Sequence, residues 1–273
     1  PIYATGNHSA IVSETGEIIE VLENMDKIPK KYADWRTSNA LTHSIGNSKI
    51  GLDTLCISVN TGLLCVMGLT GNCGNCKICY AVNHNKRHLK NTVFKNTKNQ
   101  NTVSKVVIGA LDLHTVLYET VWDIFCTYSE NKIKNLKFLR FSVEGDILDN
   151  QVLKILDKVA EVLKSVFGLI SCYTYTHNKN LDLSAVKNIV FNTSDFKDAN
   201  CKKQCITIFE LSADVLEAVK NEEVILCNGD CVNCPYCKNI NETRPILFLA
   251  HGGHFKGITH YEYLVQYLET VKL

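Results

Sequence analysis

Apolar residues recur along this chain in two rhythms that exchange places several times. Val103, Val107, Ala110, Leu117, Val121 and Ile124 fall at helical spacing and predict one amphipathic helix over 103–127, broken only by His114, which is expected to be a core histidine. Short β-branched runs flank it. Leu55–Val59 reads as the first strand of a core, and Leu136–Val143 as the next. Asp149 then stands where an N-cap belongs, ahead of a helix over 150–166 with Val152, Leu156, Val159 and Leu163 on one face. Further strands are predicted at 169–175, 189–192, 205–209, 224–226 and 246–250, with helices at 211–221 and 259–271. Tyr173 and Tyr175 alternate with Cys172 and Thr174, so one face of their strand belongs to the core.

Strands alternating with helices or short crossovers imply an α/β fold with a mainly parallel sheet. Six or more such strands suggest a full or partial (β/α) barrel, with an open doubly wound sheet as the alternative. Residues 1–50 are polar and weakly periodic; they read as an extension lying on a barrel-like domain of 51–273. Both architectures put the functional site at the carboxyl ends of the strands. The polar candidates follow predicted strands: Glu144-Gly145-Asp146, Thr176-His177, Asn192 to Asp195 and His251-Gly-Gly-His254.

Two thiol-rich loops also follow strands. Cys65, Cys73, Cys76 and Cys79 lie after the first, and Cys227, Cys231, Cys234 and Cys237 after the strand at 224–226. Thirteen cysteines are an odd number, and the start of the chain has no basic-then-apolar leader, so cytoplasmic metal or cluster ligation ranks above disulfides. Three cysteines within seven residues, as at Cys73, Cys76 and Cys79, suit an iron–sulfur cluster, 4Fe–4S above all, better than tetrahedral zinc. Eight loop thiols are enough for one shared cluster or two. Cys56, Cys126 and Cys172 sit in apolar stretches and read as buried small residues; Cys201 and Cys205 read as ordinary surface or core thiols.

With 45% apolar and 21% charged residues the chain can build a core without staples. A net charge of +1 gives no general attraction to nucleic acid or membrane, and no apolar run has the length of a membrane span. Locally, Lys86, Arg87, Lys90, Lys95, Lys98 and Lys105 form a basic stretch without an acid. It is either a solvated helix face or a surface that neutralises a cluster, a phosphate or nucleic acid. His251 and His254 are either metal or proton-transfer groups or surface histidines. Glu144 and Asp146 are either a ligand-binding pair or the acids of a helix entry. No phosphate-cradling glycine loop or nucleophile elbow is present.

The order of these pieces resembles the layout of radical S-adenosylmethionine enzymes, in which three cysteines follow the first strand and a Gly/acid stretch follows the second. That resemblance implies a cluster on Cys73, Cys76 and Cys79, with Glu144, Gly145 and Asp146 near the adenosylmethionine. The family's C-x3-C-x2-C spacing occurs instead at Cys227, Cys231 and Cys234. Asn47-Ser-Lys49, the loop closing in Cys79-Tyr-Ala81, Ser142 to Asp146 and Tyr173 to Thr176 are similar to motifs of the uncharacterised bacteriophage gene product 88 family. That likeness spans about residues 45–255 and implies a phage or prophage protein of the bacterial cytoplasm. Two functions are expected: a redox or radical enzyme acting on a small molecule or nucleotide, or a zinc protein that binds nucleic acid.

Overall fold

The computed structural model describes residues 38–47, 50–59, 98–143, 145–194, 203–208 and 211–249, the backbone of three short strands before them, and positions 95, 96, 198 and 201. Cys65, Cys73, Cys76, Cys79, Lys86, Arg87, Lys90, Glu144, His251, His254 and the expected helix 259–271 lie outside the described residues.

The chain is mixed α/β. Strands β1 (Ile2–Thr5), β2 (His8–Val12) and β3 (Ile18–Leu22) make an antiparallel sheet of their own. The second sheet has eight strands among the described residues. These are β4 (Ser44–Ile45), β5 (Thr54–Ile57), β6 (Phe138–Phe141), β7 (Ser171–Thr176), β8 (Ile189–Ser194), β9 (Gln204–Ile208), β10 (Ile225–Leu226) and β11 (Ile246–Leu249). Their order is β4-β5-β6-β7-β8-β9-β11-β10. Only β4 runs antiparallel to its neighbour. The described strands leave β4 and β10 as edges, so no closed barrel forms among them.

Register sorts the side chains onto two faces. Leu139 pairs with Cys172, and Cys172 with Ile189. These, with Leu55, Ile57, Phe141 and Phe191, join Val152, Leu156, Val159 and Leu163 in the main core. Those four come from α3 (Asn150–Phe167), which packs on β6 and β7 and on α1 (Leu113–Thr127). Arg140, Tyr173, Tyr175, Asn192 and Cys205 occupy the opposite face.

Asp149 caps α3, accepting from the Gln151 and Val152 N–H groups at 2.8 and 2.9 Å. Asp149→Ala is therefore expected to lower unfolding free energy by about 1 kcal/mol in urea titrations.

Three expectations need correction. The helix over 103–127 is two helices, 98–107 and α1, because Gly109 takes a left-handed φ of 72° and Asp112 caps a new start by accepting from Thr115 N–H. His114 then falls in the first turn of α1 and is exposed, not in the core. Cys126 is exposed as well, while Cys56 and Cys172 are buried. Two further helices, α2 (Glu130–Lys134) and α4 (Ala213–Lys220), complete the described connections.

Residues 38–45 are sewn to the helices. Leu41 N–H donates to Thr120 Oγ1 at 2.8 Å, and Thr42 N–H to Asn99 Oδ1 at 2.7 Å. His43 lies between Asp123 Oδ2 (2.9 Å) and Tyr128 Oη (3.2 Å). Lys98, expected on a basic surface, instead turns inward and donates to the Ala40 carbonyl. Burial pushes its ammonium down to about 8, against the pull of Asp123 and Glu119. Lys95 and Lys105 are exposed.

Candidate functional site on the open face of the sheet

Cys227 follows the last residue of β10, so the second thiol loop starts at a strand carboxyl end, as expected. It does not stay there. Cys237 O accepts from Asn192 Nδ2 of β8 at 3.2 Å. Lys238 O accepts from Ser171 Oγ at 3.0 Å, and Lys238 Nζ lies 4.2 Å from the centre of the Phe138 ring. Ser171 and Phe138 are the first residues of β7 and β6. The loop thus folds over the face opposite the one on which α3 packs and reaches the amino ends of the central strands.

Local chemistry fixes this path. Asn228 Oδ1 accepts from Asp230 N–H, and Asp230 Oδ1 from Val232 and Asn233 N–H, which turns the backbone between Cys227 and Cys234. Pro235 opens a 3₁₀ turn over Tyr236–Lys238. Two buried lysines hold the loop by its carbonyls. Lys203 Nζ donates to Tyr236 O (2.9 Å) and Cys237 O (3.1 Å), and Lys238 Nζ to Cys231 O (2.8 Å). These side chains belong to residues only 3% and 6% exposed. A clamp closes the loop's far end: Glu242 binds Arg244 through two contacts of 2.9 Å, and the guanidinium lies 5.4 Å from the Tyr236 ring centre.

Arg244 holds the Glu242 carboxyl down to about 2, from an ordinary 4.5. A depressed carboxylate adds stability above its unfolded pKa and loses it as pH falls through the folded one. The thermal unfolding midpoint should therefore fall as pH drops from about 4.5 to about 2. Glu242→Gln should flatten that segment of the profile.

The thiols of the loop gather beside the sheet. Cys227 and Cys237 pack with Tyr175, Tyr236 and Phe248 against buried Cys205, Ile225 and Ile246. Burial, then the hydrogen bond from Tyr175 acting the other way, then the neighbouring Cys227, Cys234 and Cys231 set the Cys237 thiol, which ends up at about 11. Burial and then Cys237 push Cys205 well up. Burial lowers the Lys203 ammonium, and the groups that oppose this are Cys237, Cys205 and Cys201 ahead of Glu242. Cys231, Cys234, Cys237 and Cys205 carry free thiols. Among the described residues no group of three or more His, Cys, Asp or Glu side chains is arranged to hold a metal ion. The described thiols are thus a set of soft donors of one kind, close to one another, but not a finished cage.

Arg140 joins the cluster from β6. Its guanidinium lies 5.9 Å from the Tyr173 ring centre and 5.1 Å from that of Tyr175. Tyr173 is 1% exposed and feels Arg140, Cys56, Cys231 and Cys237. The sequence pattern singled out neither Arg140 nor Lys203. Cys205, an ordinary thiol by its sequence setting, lies on the same face as the loop because its register sets it opposite Ile246.

Asp146 is buried and bonded on both oxygens. Oδ1 accepts from Ile147 N–H and Thr176 Oγ1, and Oδ2 from His177 N–H, each at 2.7 Å. Burial raises its carboxyl, while the bonds from His177 and Thr176 pull it back. It ties the loop after β6 to the end of β7, and Asn178 Nδ2 extends the tie to Ile147 O and Leu148 O. Gly145, at φ 82°, makes the turn that delivers it.

No family model, curated protein or solved structure matches this chain. No helix among the described residues is long and apolar enough to cross a membrane.

Proposed function

We propose that this protein holds an iron–sulfur centre with the thiols of Cys227, Cys231, Cys234 and Cys237, and uses it for redox or radical chemistry on a small molecule or nucleotide. The observation that carries the reading is the pair of buried ammonium groups, Lys203 and Lys238, set beneath a loop of four thiols. Buried cations call for anions. Thiolates around iron supply negative charge where neutral thiols would not. Donors of sulfur alone suit iron–sulfur or zinc. An unfinished cage is no obstacle, since metal sites commonly take shape as the metal binds.

The strand order supports a partial barrel. From β5 to β9 each new parallel strand is added on the same side. Right-handed crossovers then lie on one face and leave the other to the thiol loop. The loop's Lys238 reaches β6, the neighbour of the strand that leads into Cys65, Cys73, Cys76 and Cys79. The centre is either shared with Cys65, Cys73, Cys76 and Cys79 or one of two, with one in each loop. A role for adenosylmethionine would rest on Glu144 and the Gly145 backbone, because Asp146 is engaged within the protein.

Protein purified without air should be brown, with absorption near about 400 nm from thiolate-ligated iron. A colourless protein would sink this reading. The exposed Lys95 and Lys105 favour a second one, a zinc-stabilised nucleic-acid binder. Steep loss of nucleic-acid binding with salt would identify it.

A further inference from the structure

Three buried polar atoms on or beside the open face have no partner among the described residues: Tyr173 Oη, Asn192 Oδ1 and Ser142 Oγ. The first two residues are 1% and 0% exposed, and Ser142 is 4% exposed. Register sets Tyr173 beside Arg140, and Asn192 beside Tyr175. The Asn192 amide can point only one way. Its Nδ2 faces two carbonyl acceptors, Thr174 O and Cys237 O, so Oδ1 must be the atom left over. Ser142, the residue after β6, has a left-handed backbone, φ 48°, which a serine adopts at a cost. Buried polar atoms without partners are rare and need an explanation. Arg140 and Tyr175 are only half-buried, so this part of the face is not sealed.

We propose that the face between β6, β7 and β8 binds a small molecule carrying both an oxyanion and an O–H or N–H donor, of the hydroxy-acid or amino-acid kind. The planar Arg140 guanidinium, stacked beside Tyr173 and Tyr175, suits a carboxylate. Tyr173 Oη donates to the same group. Asn192 Oδ1 accepts from the ligand's hydroxyl or amine, and Ser142 Oγ completes the ring of partners. This names the substrate class for the proposed function, and it rests on reading that face as the functional site, whichever metal the thiols hold.

The test is thermal unfolding of the full chain with L-serine, L-lactate or inorganic phosphate, the last as an anion lacking the carbon-borne donor. Serine or lactate should raise the midpoint by about 3 °C at ten times its dissociation constant. Tyr173→Phe should melt no lower than the parent without ligand, because its hydroxyl has no partner among the described residues, yet bind at least about tenfold more weakly. Metal content, read on the same samples, should be unchanged by Tyr173→Phe, so the ligand and the metal fail separately. No shift from serine or lactate at millimolar concentration overturns the proposal. So does an affinity that Tyr173→Phe leaves intact, or a phosphate response equal to both.

Discussion

Serine at Cys231, Cys234 and Cys237 together is expected to remove nearly all of the iron bound through the second loop, while the sheet stays folded. Thiolate is the ligand, and a serine hydroxyl is too weak an acid to replace it. The fold should survive because the loop is held by other atoms. Lys203 and Lys238 grip backbone carbonyls, and Asp230 binds backbone N–H groups. None of these contacts involves a sulfur. Circular dichroism near that of the parent, with iron lost, is the expected pair of results. Iron retained in full would move the centre to the first loop.

Asp146→Ala is expected to have the largest effect on stability, about 3 kcal/mol in urea unfolding, because it strands buried donors. His177 N–H and Thr176 Oγ1 would both lose their acceptor in a site that is 3% exposed. Thr176 can turn its hydroxyl elsewhere, but the backbone N–H cannot. The contrast with Asp149→Ala is instructive, since there water can reach the freed N–H groups of an exposed cap. A loss near about 1 kcal/mol at Asp146 would mean that water replaces the carboxylate, and that the site is wetter than its burial implies.

Most strands were legible because each is a short apolar run with a turn signal on either side. Phe138–Phe141 and Ile189–Ser194 fall within two residues of the reading from pattern alone. The break at Gly109 was not, since Val106, Val107 and Ile108 run into Ala110 and Leu111 and the periodicity masks one glycine. The sheet of β1 to β3 was hidden by the weak alternation of a polar segment. At the site, the sequence marked Cys227, Cys231, Cys234 and Cys237 and predicted their position after a strand. It could not show that Lys238 would reach back to Ser171, 67 positions away. Nor could it show that Lys203 would lie beneath Cys237. Such pairings depend on strand order, and β11 slips between β9 and β10 to set it.

The most direct test is the iron and acid-labile sulfide content of protein made and purified without oxygen. Buried lysines under a thiol loop predict iron and sulfide in equal amounts, about four of each per cluster. Zinc in their place, or no metal at all, would contradict the account.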